Sequence, residues 1–145
     1  FFMDQTNQLL QCVVENARTG MNAVDQLLQK VEDAGIRDEL MREREQYQAI
    51  AHTAEQTLYT MGGKPETVGV MQRVRMWMGM ELNTLKDRTP AHIADMVIQG
   101  ATMGVVDMTK ARNELSEADA QAQGIAGEFI VQQQDNIERM KAFLR

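Results

Sequence analysis

Two histidines and several carboxylates are the side chains of this 145-residue chain that could hold a metal. A di-iron or di-manganese centre in a helical bundle takes Glu from two helices and Glu-x-x-His from the other two, because residues three apart share one helix face. The residues three positions before His52 and His92 are Ala49 and Thr89. The chain therefore lacks the classical motif, and no metal cofactor is predicted.

Helical-wheel positions still point some acidic side chains inward. Glu43 shares the apolar face of its helix with Leu40 and Tyr47. Glu81 falls on the apolar face of the following helix. A buried carboxylate needs an ion pair or a hydrogen bond, which Arg44 or Tyr47 could provide to Glu43. An ion pair at the edge of the core, or a side chain that reaches solvent, is the expected role. The alternative is a degenerate iron or manganese site, for which the candidate ligands are Glu43, Glu81, Asp107 and His92.

Three acidic side chains and the thiol fall outside the main apolar stripes of their helices. Glu15, Glu128 and Asp135 point outward on their helical wheels, and Cys12 falls outside the main apolar stripe of the first helix. A single cysteine cannot form an internal disulfide, so nothing in the sequence indicates an oxidising compartment. A cytoplasmic location is expected.

Twelve methionines are a second candidate feature, and the segment "MQRVRMWMGMEL" (71–82) holds four of them with the only tryptophan. On a helix, Met71 and Met78 share the face of Trp77 and are expected to fill the core. The third and fourth predicted helices each carry a further stripe of methionines that the buried face of the helix does not explain. Their methionines are the predicted contacts to a protein partner or a second copy: Met76, Met80, Met96 and Met103. A copper(I) site would need converging soft ligands, which this spacing does not establish.

Composition and charge exclude other classes of function. The formal net charge is -6 and the pI is near 4.9, which argues against a broad nucleic-acid surface. No uninterrupted apolar run reaches the roughly 20 residues that a membrane-spanning helix needs. The turn Gly62-Gly63-Lys64-Pro65 lacks the spacing of a phosphate-binding loop. A non-enzymatic protein is favoured.

Apolar spacing of three and four residues predicts helices throughout the chain, and no strand-like alternation occurs. The predicted helices cover about residues 6–32, 37–61, 64–86, 90–115 and 116–144. Their expected boundaries are an N-cap at Thr6, a stop at Gly35, a stop at Gly62-Gly63, and Thr89 with Pro90 at the fourth start. The segment "SEAD" (116–119) resembles a capping box, and it either opens a fifth helix or marks a kink in a longer one.

One helical-bundle domain over residues 3–145 is expected, with Met3 as the native start and two preceding residues foreign to the natural protein. Gly100 and Gly104 are four residues apart on an apolar face. Small residues at that spacing allow two helices to approach closely, so tight packing inside the bundle is the interpretation of this pair.

The segments "RDELMREREQY" and "TLYTMGGKPE", followed by a helix with Trp77 and a capped central helix, resemble an uncharacterised bacterial family of ferritin-like four-helix bundles. That family is known only as domains of unknown function, related at fold level to rubrerythrins. The clearest points of similarity are Arg44 with Tyr47, the turn 62–66, Trp77 and Gly100.

The resemblance implies four long helices, with the Trp77 segment as a shorter helix alongside, and it suggests metal binding by fold analogy. Relatives tend to carry several glutamates on the central helix, whereas "HIADMVIQGATMG" here keeps only Asp95. The sequence thus predicts an all-α, ferritin-like up-down four-helix bundle with an additional shorter helix. Its expected role is self-association or protein binding, and the alternative is a ferritin-like metal or redox protein with a degenerate carboxylate site.

Overall fold

A computed structural model describes residues 2–64, 82 and 85–145 of the chain. These residues form four long helices: α1 (Phe2–Leu28), α2 (Ala34–Thr60), α3 (Pro90–Glu114) and α4 (Ala120–Met140), followed by a 3-10 turn (Lys141–Phe143). No strand occurs in the described part. The prediction of an all-α protein with four long helices is confirmed. The predicted helix 64–86, with its methionines, Trp77 and Glu81, lies almost entirely outside the described residues.

Side-chain caps set the starts of three helices. The side chains of Asp33, Thr89 and Asp119 accept the backbone N–H groups of Ile36, His92 and Ala122 at 3.0, 3.3 and 2.8 Å. Such a bond satisfies one of the amides that have no partner within the helix. The predicted start at Thr89 with Pro90 is confirmed, and α2 ends as predicted before Gly62, whose φ of 81° favours glycine.

Two predicted boundaries of the first helix are wrong. α1 begins at Phe2 rather than at Thr6, and it ends at Leu28, well before Gly35. Gly35 instead lies in the first turn of α2, behind its cap Asp33. Residue type alone identifies a threonine or an aspartate that could cap a helix. It does not show whether that side chain caps its own helix or hydrogen-bonds to a distant one.

Thr6 has such a distant role. Its side chain is fully buried, and its Oγ1 accepts the backbone N–H of Asp119 at 2.8 Å, while Gln5 Oε1 accepts the N–H of Glu117 at 2.9 Å. The start of α1 therefore holds the turn between α3 and α4. This turn resolves the alternative left open for residues 116–119: α3 and α4 are separate helices, and the cap of α4 is Asp119 rather than Ser116.

Replacing Thr6 by valine is expected to lower the free energy of unfolding by about 1–2 kcal/mol, because the shape is kept while the part-buried Asp119 N–H loses its partner. Urea unfolding measures this. Thr53→Val is the matched control, since its exposed hydroxyl donates to Ala49 O within its own helix. An equal loss in the two variants would mean that the long-range bond contributes nothing.

Ion pairs and ring contacts give the directions of the helices. Arg18 pairs with Glu55 at 2.6 Å and Arg44 pairs with Asp25, so α1 and α2 are antiparallel. α3 and α4 are also antiparallel, since Gly104 faces Phe129 and Arg112 lies beside Gly127.

The remaining contacts relate the two helix pairs. Thr6 meets Asp119 near the starts of α1 and α4, whereas Glu39, near the start of α2, meets Arg139 at the end of α4. α1 and α4 therefore run in the same direction, and α2 and α3 run in the opposite one. The end of α2 and the start of α3 consequently lie at opposite ends of the bundle.

Apolar residues from all four helices form the core. The burial of three side chains shows that three interpretations of the sequence are wrong. Cys12 and Glu15 are 5% and 4% exposed, so both are buried rather than facing solvent. Met96, predicted as a partner contact, is 1% exposed and belongs to the core, and Met103 is half-buried against it.

Among the described helices, none is both long and apolar enough to cross a lipid bilayer.

Candidate functional site

A cavity of about 50 Å³ lies in the bundle interior, and all four helices line it. Its polar lining residues are Asn16, Thr19, Glu43, Tyr47 and Gln133. Small residues make the space: Gly20, Ala23, Gly100, Ala101 and Gly104. Helical periodicity explains the grouping, because Asn16 and Gly20, Glu43 and Tyr47, and Gly100 and Gly104 are each four residues apart and share a face.

Gly104 was predicted to permit close helix packing. A Cβ added there would meet, among the described residues, only Phe129 Cε2, at 4.0 Å. That is an ordinary van der Waals distance, so this glycine does not seat a helix in unusually close contact. It borders the cavity instead.

Tyr47 forms one wall of the cavity. Its ring lies against Gly20, with its centroid 6.3 Å from that of Phe129, and its hydroxyl donates to Gln133 Oε1 at 2.8 Å. Burial raises the pKa of Tyr47 above its usual range, and the nearby Glu43 adds to the shift. The phenol therefore stays protonated and acts as a fixed hydrogen-bond donor that joins α2 to α4.

Glu43 faces inward as predicted, but its expected partners are engaged elsewhere. Its side chain is 1% exposed. Arg44 pairs with Asp25, and Tyr47 donates to Gln133. Burial raises the pKa of Glu43 to about 8, helped by the negative charge of Glu39 and partly offset by the two arginines that bind Glu39. The carboxyl group is therefore mostly protonated at neutral pH.

Three buried polar atoms at the cavity have no hydrogen-bond partner among the described residues: Asn16 Oδ1, Glu43 Oε2 and Gln133 Nε2. The other ends of two of these groups are held, because Asn16 Nδ2 donates to Cys12 O at 2.8 Å and Gln133 Oε1 accepts from Tyr47. Buried polar groups in proteins nearly always find a partner. Their convergence on one cavity therefore leaves this cavity able to form hydrogen bonds with a further polar group.

A charged cluster ties α2 to α4 one turn from the cavity. Glu39 Oε1 accepts from Arg42 at 2.6 Å and from Arg139 at 2.8 Å. Asn136 accepts from Arg42 at 2.7 Å and donates to Gln46 at 2.9 Å. Burial alone would raise the pKa of Glu39, but the hydrogen bonds from Arg139 and Arg42 outweigh it and lower the pKa. Glu39 is thus the ionised neighbour that favours a neutral Glu43.

The candidate metal ligands are not brought together within the described residues. Glu43 lines the interior cavity, Asp107 is half-buried on α3, and His92 borders an open groove with Asp87 and Asp95. No three His, Cys, Asp or Glu side chains of the described part form a group that could hold a metal. Glu81 lies outside the described residues, as do the predicted contacts Met76 and Met80.

Cys12 is poorly suited to nucleophilic chemistry. Burial raises the pKa of its thiol to about 11, with further contributions from the charges of Glu15 and Glu114. The reactive thiolate is therefore scarce near neutral pH. The interior site can instead donate and accept hydrogen bonds, through one protonated carboxyl group and two amides.

Sequence reasoning did not identify Asn16 and Gln133 as site residues, although a signal was present. Asn16 continues the series Leu9, Val13, Asn16, Gly20, and Gln133 continues the series Ala126, Phe129, Gln133, Asn136, Met140. Each series keeps the three- and four-residue spacing of a buried face. A polar residue inside such a series indicates a buried polar site, because its neighbours on that face are core residues.

Comparison of the chain with protein-family models, curated proteins and solved structures found no match. The ferritin-like resemblance therefore stays a prediction.

Proposed function

We propose that this chain is a non-enzymatic helical-bundle protein that acts by association, with a second copy of itself or with a protein partner. The outer face of α3 carries this proposal. Its exposed side chains between residues 99 and 109 are all uncharged, in a chain in which 25% of the residues are charged: Gln99, Thr102, Val106 and Thr109. Depletion of charged residues distinguishes the core of a protein–protein interface from the remaining surface.

The spacing of this face fits helix pairing. The four exposed residues follow a four- and three-residue spacing, so they form one stripe along α3, and half-buried Ile98 and Val105 flank it. A stripe of this kind can pack against its own copy about a two-fold axis, because the same residues then supply both sides of the interface. The association surface is therefore this stripe, rather than the buried Met96.

Val106→Glu is expected to weaken the association at least about tenfold, because it puts a carboxylate into a surface that becomes desolvated on binding. Light scattering after size-exclusion chromatography measures the mass as a function of concentration. Val131→Glu on α4 is the matched control, since Val131 is 63% exposed against 42% for Val106.

Two results would reject this proposal. One is a wild-type chain that stays monomeric up to about 0.1 mM and captures no partner that Val106→Glu releases. The other is an equal loss of association in Val106→Glu and Val131→Glu, because that would place the interface away from α3.

The ferritin-like arrangement belongs to the same proposal. A bundle with one long crossover, as in ferritin-like folds, needs its second and third long helices to run in the same direction. The parallel course of α2 and α3, with the end of one and the start of the other at opposite ends of the bundle, supports this arrangement. We propose a cytoplasmic location with it, since the single cysteine offers no disulfide.

The alternative role, a ferritin-like iron or manganese protein with a degenerate site, is supported by the inward position of Glu43. The classical centre takes four glutamates and two histidines. Among the described residues only one carboxylate, Glu43, lines the cavity. Further ligands, with Glu81 as the first candidate, would have to come from outside the described residues. This alternative ranks second.

A further inference from the structure

The interior cavity has a buried polar floor and a half-exposed mouth. The floor consists of Asn16, Glu43 and Gln133, which are 2%, 1% and 1% exposed. The half-exposed lining residues all belong to α1 and α3: Thr19, Gly20, Ala23, Val97 and Gly100. The cavity is therefore approached between α1 and α3, through residues whose side chains are mostly small.

The unpartnered atoms of the floor select the chemistry of a ligand. Gln133 Nε2 can only donate, Asn16 Oδ1 can only accept, and protonated Glu43 can do either. A bare cation would satisfy the oxygens but leave the Gln133 N–H groups without a partner. An anion would be repelled by the partial negative charge of the Asn16 oxygen. A hydroxyl group both donates and accepts, so it can satisfy the donor and the acceptor together.

The remaining lining limits the size and polarity of the ligand. Beyond the polar floor the walls are apolar, formed chiefly by Val24, Leu27, Val97 and Phe129. The volume of about 50 Å³ is roughly a third of the ~150 Å³ in which an engineered protein cavity holds benzene. Because benzene has six non-hydrogen atoms, a molecule of about two or three such atoms fits, with its hydroxyl group on the floor and a short apolar tail against the walls.

We infer that the bundle interior is a binding site for a small neutral molecule with one hydroxyl group and a short apolar tail, such as a short-chain alcohol, which enters between α1 and α3. This inference goes beyond the proposed association and does not depend on it. Because the affinity of so small a ligand is limited by its number of atoms, the expected Kd is of the order of 1 mM.

Titration of the ¹⁵N-labelled full chain with ethanol tests the inference. The amide signals of Gly20, Gly100 and Gly104 are expected to shift and to saturate with a common Kd in the millimolar range. Ala23→Leu places a larger side chain at the mouth and is expected to weaken binding at least about tenfold. Asn22→Leu, at the exposed neighbouring position, is expected to leave the Kd unchanged.

Three outcomes would overturn the inference. Glycine shifts that grow linearly without saturation would mean that water alone satisfies the floor. An unchanged Kd in Ala23→Leu would place the binding elsewhere. The third outcome is selective broadening of the same amides by Mn²⁺ that Glu43→Gln abolishes, because this would establish a cation site and favour the metal alternative. Light scattering tests association separately, so the two proposals can fail independently.

Discussion

Replacing Gly20 by alanine is expected to lower the free energy of unfolding by about 2–3 kcal/mol, although alanine is the better helix former by up to about 1 kcal/mol. A Cβ at Gly20 would lie 2.5 Å from Cζ of Tyr47 and 2.7 Å from its Cε1. The ring cannot move away easily, because it is buried and its hydroxyl is held by Gln133. Urea unfolding of the variant measures the loss.

Gly124→Ala is the matched control for this substitution. Gly124 is an exposed residue of α4, and a Cβ added there has nothing within 4 Å. The control is expected to be more stable than the wild type by about 0.5–1 kcal/mol, so the two glycine substitutions should differ in sign. A Gly20→Ala variant as stable as Gly124→Ala would show that Tyr47 does not pack against this glycine.

Glu43→Gln is expected to remove a pH dependence of stability that the wild-type chain has. The pKa of Glu43 is raised to about 8 in the folded chain from an ordinary value of 4.5. Between these pH values the unfolded chain has released the Glu43 proton and the folded chain keeps it. Raising the pH therefore favours unfolding of the wild type. The stability that comes from the protonated Glu43 is present in full below pH 4.5 and is lost as the pH rises towards 8.

The measurement is the difference in unfolding free energy between Glu43→Gln and the wild type at several pH values. This difference is expected to grow in favour of the variant by up to about 1.4 kcal/mol per pH unit between those limits. Taking the difference between the variant and the wild type cancels the pH-dependent contributions that Glu39, Arg42 and Arg139 make to the stability of both proteins. A flat difference for Glu43→Gln would mean that Glu43 is ionised in the folded chain, as a bound cation would make it.

Helix boundaries show which parts of the fold follow from local sequence. Thr89 with Pro90 and the glycines after Met61 were placed correctly, because an N-cap and a left-handed glycine act within one turn of the helix. Thr6 was misplaced because its hydroxyl binds the amide of Asp119, 113 positions along the chain. No local pattern contains that partner.

At the candidate site, too, local sequence predicted some features and missed those that depend on distant residues. The wheel position of Glu43 predicted its burial, since residues 40, 43 and 47 share a face. Its neighbours were wrongly assigned, because Arg44 turns to Asp25 on α1 and Tyr47 to Gln133 on α4. Cys12 and Glu15 were placed outside the core on the basis of one apolar stripe, yet α1 packs against α2, α3 and α4 and is buried on more than one side.

The sequence by itself determined that this protein is all-helical, where most of the described helices lie, and that Glu43 faces inward, because spacing and caps act over one or two turns. Only the tertiary structure decided which helices run in the same direction, that Thr6 on α1 binds the amide of Asp119 at the start of α4, and that Asn16, Glu43 and Gln133 meet at one cavity. The three residues are 27 and 90 positions apart along the chain. Their meeting depends on how whole helices pack, which a periodic pattern of apolar residues does not specify.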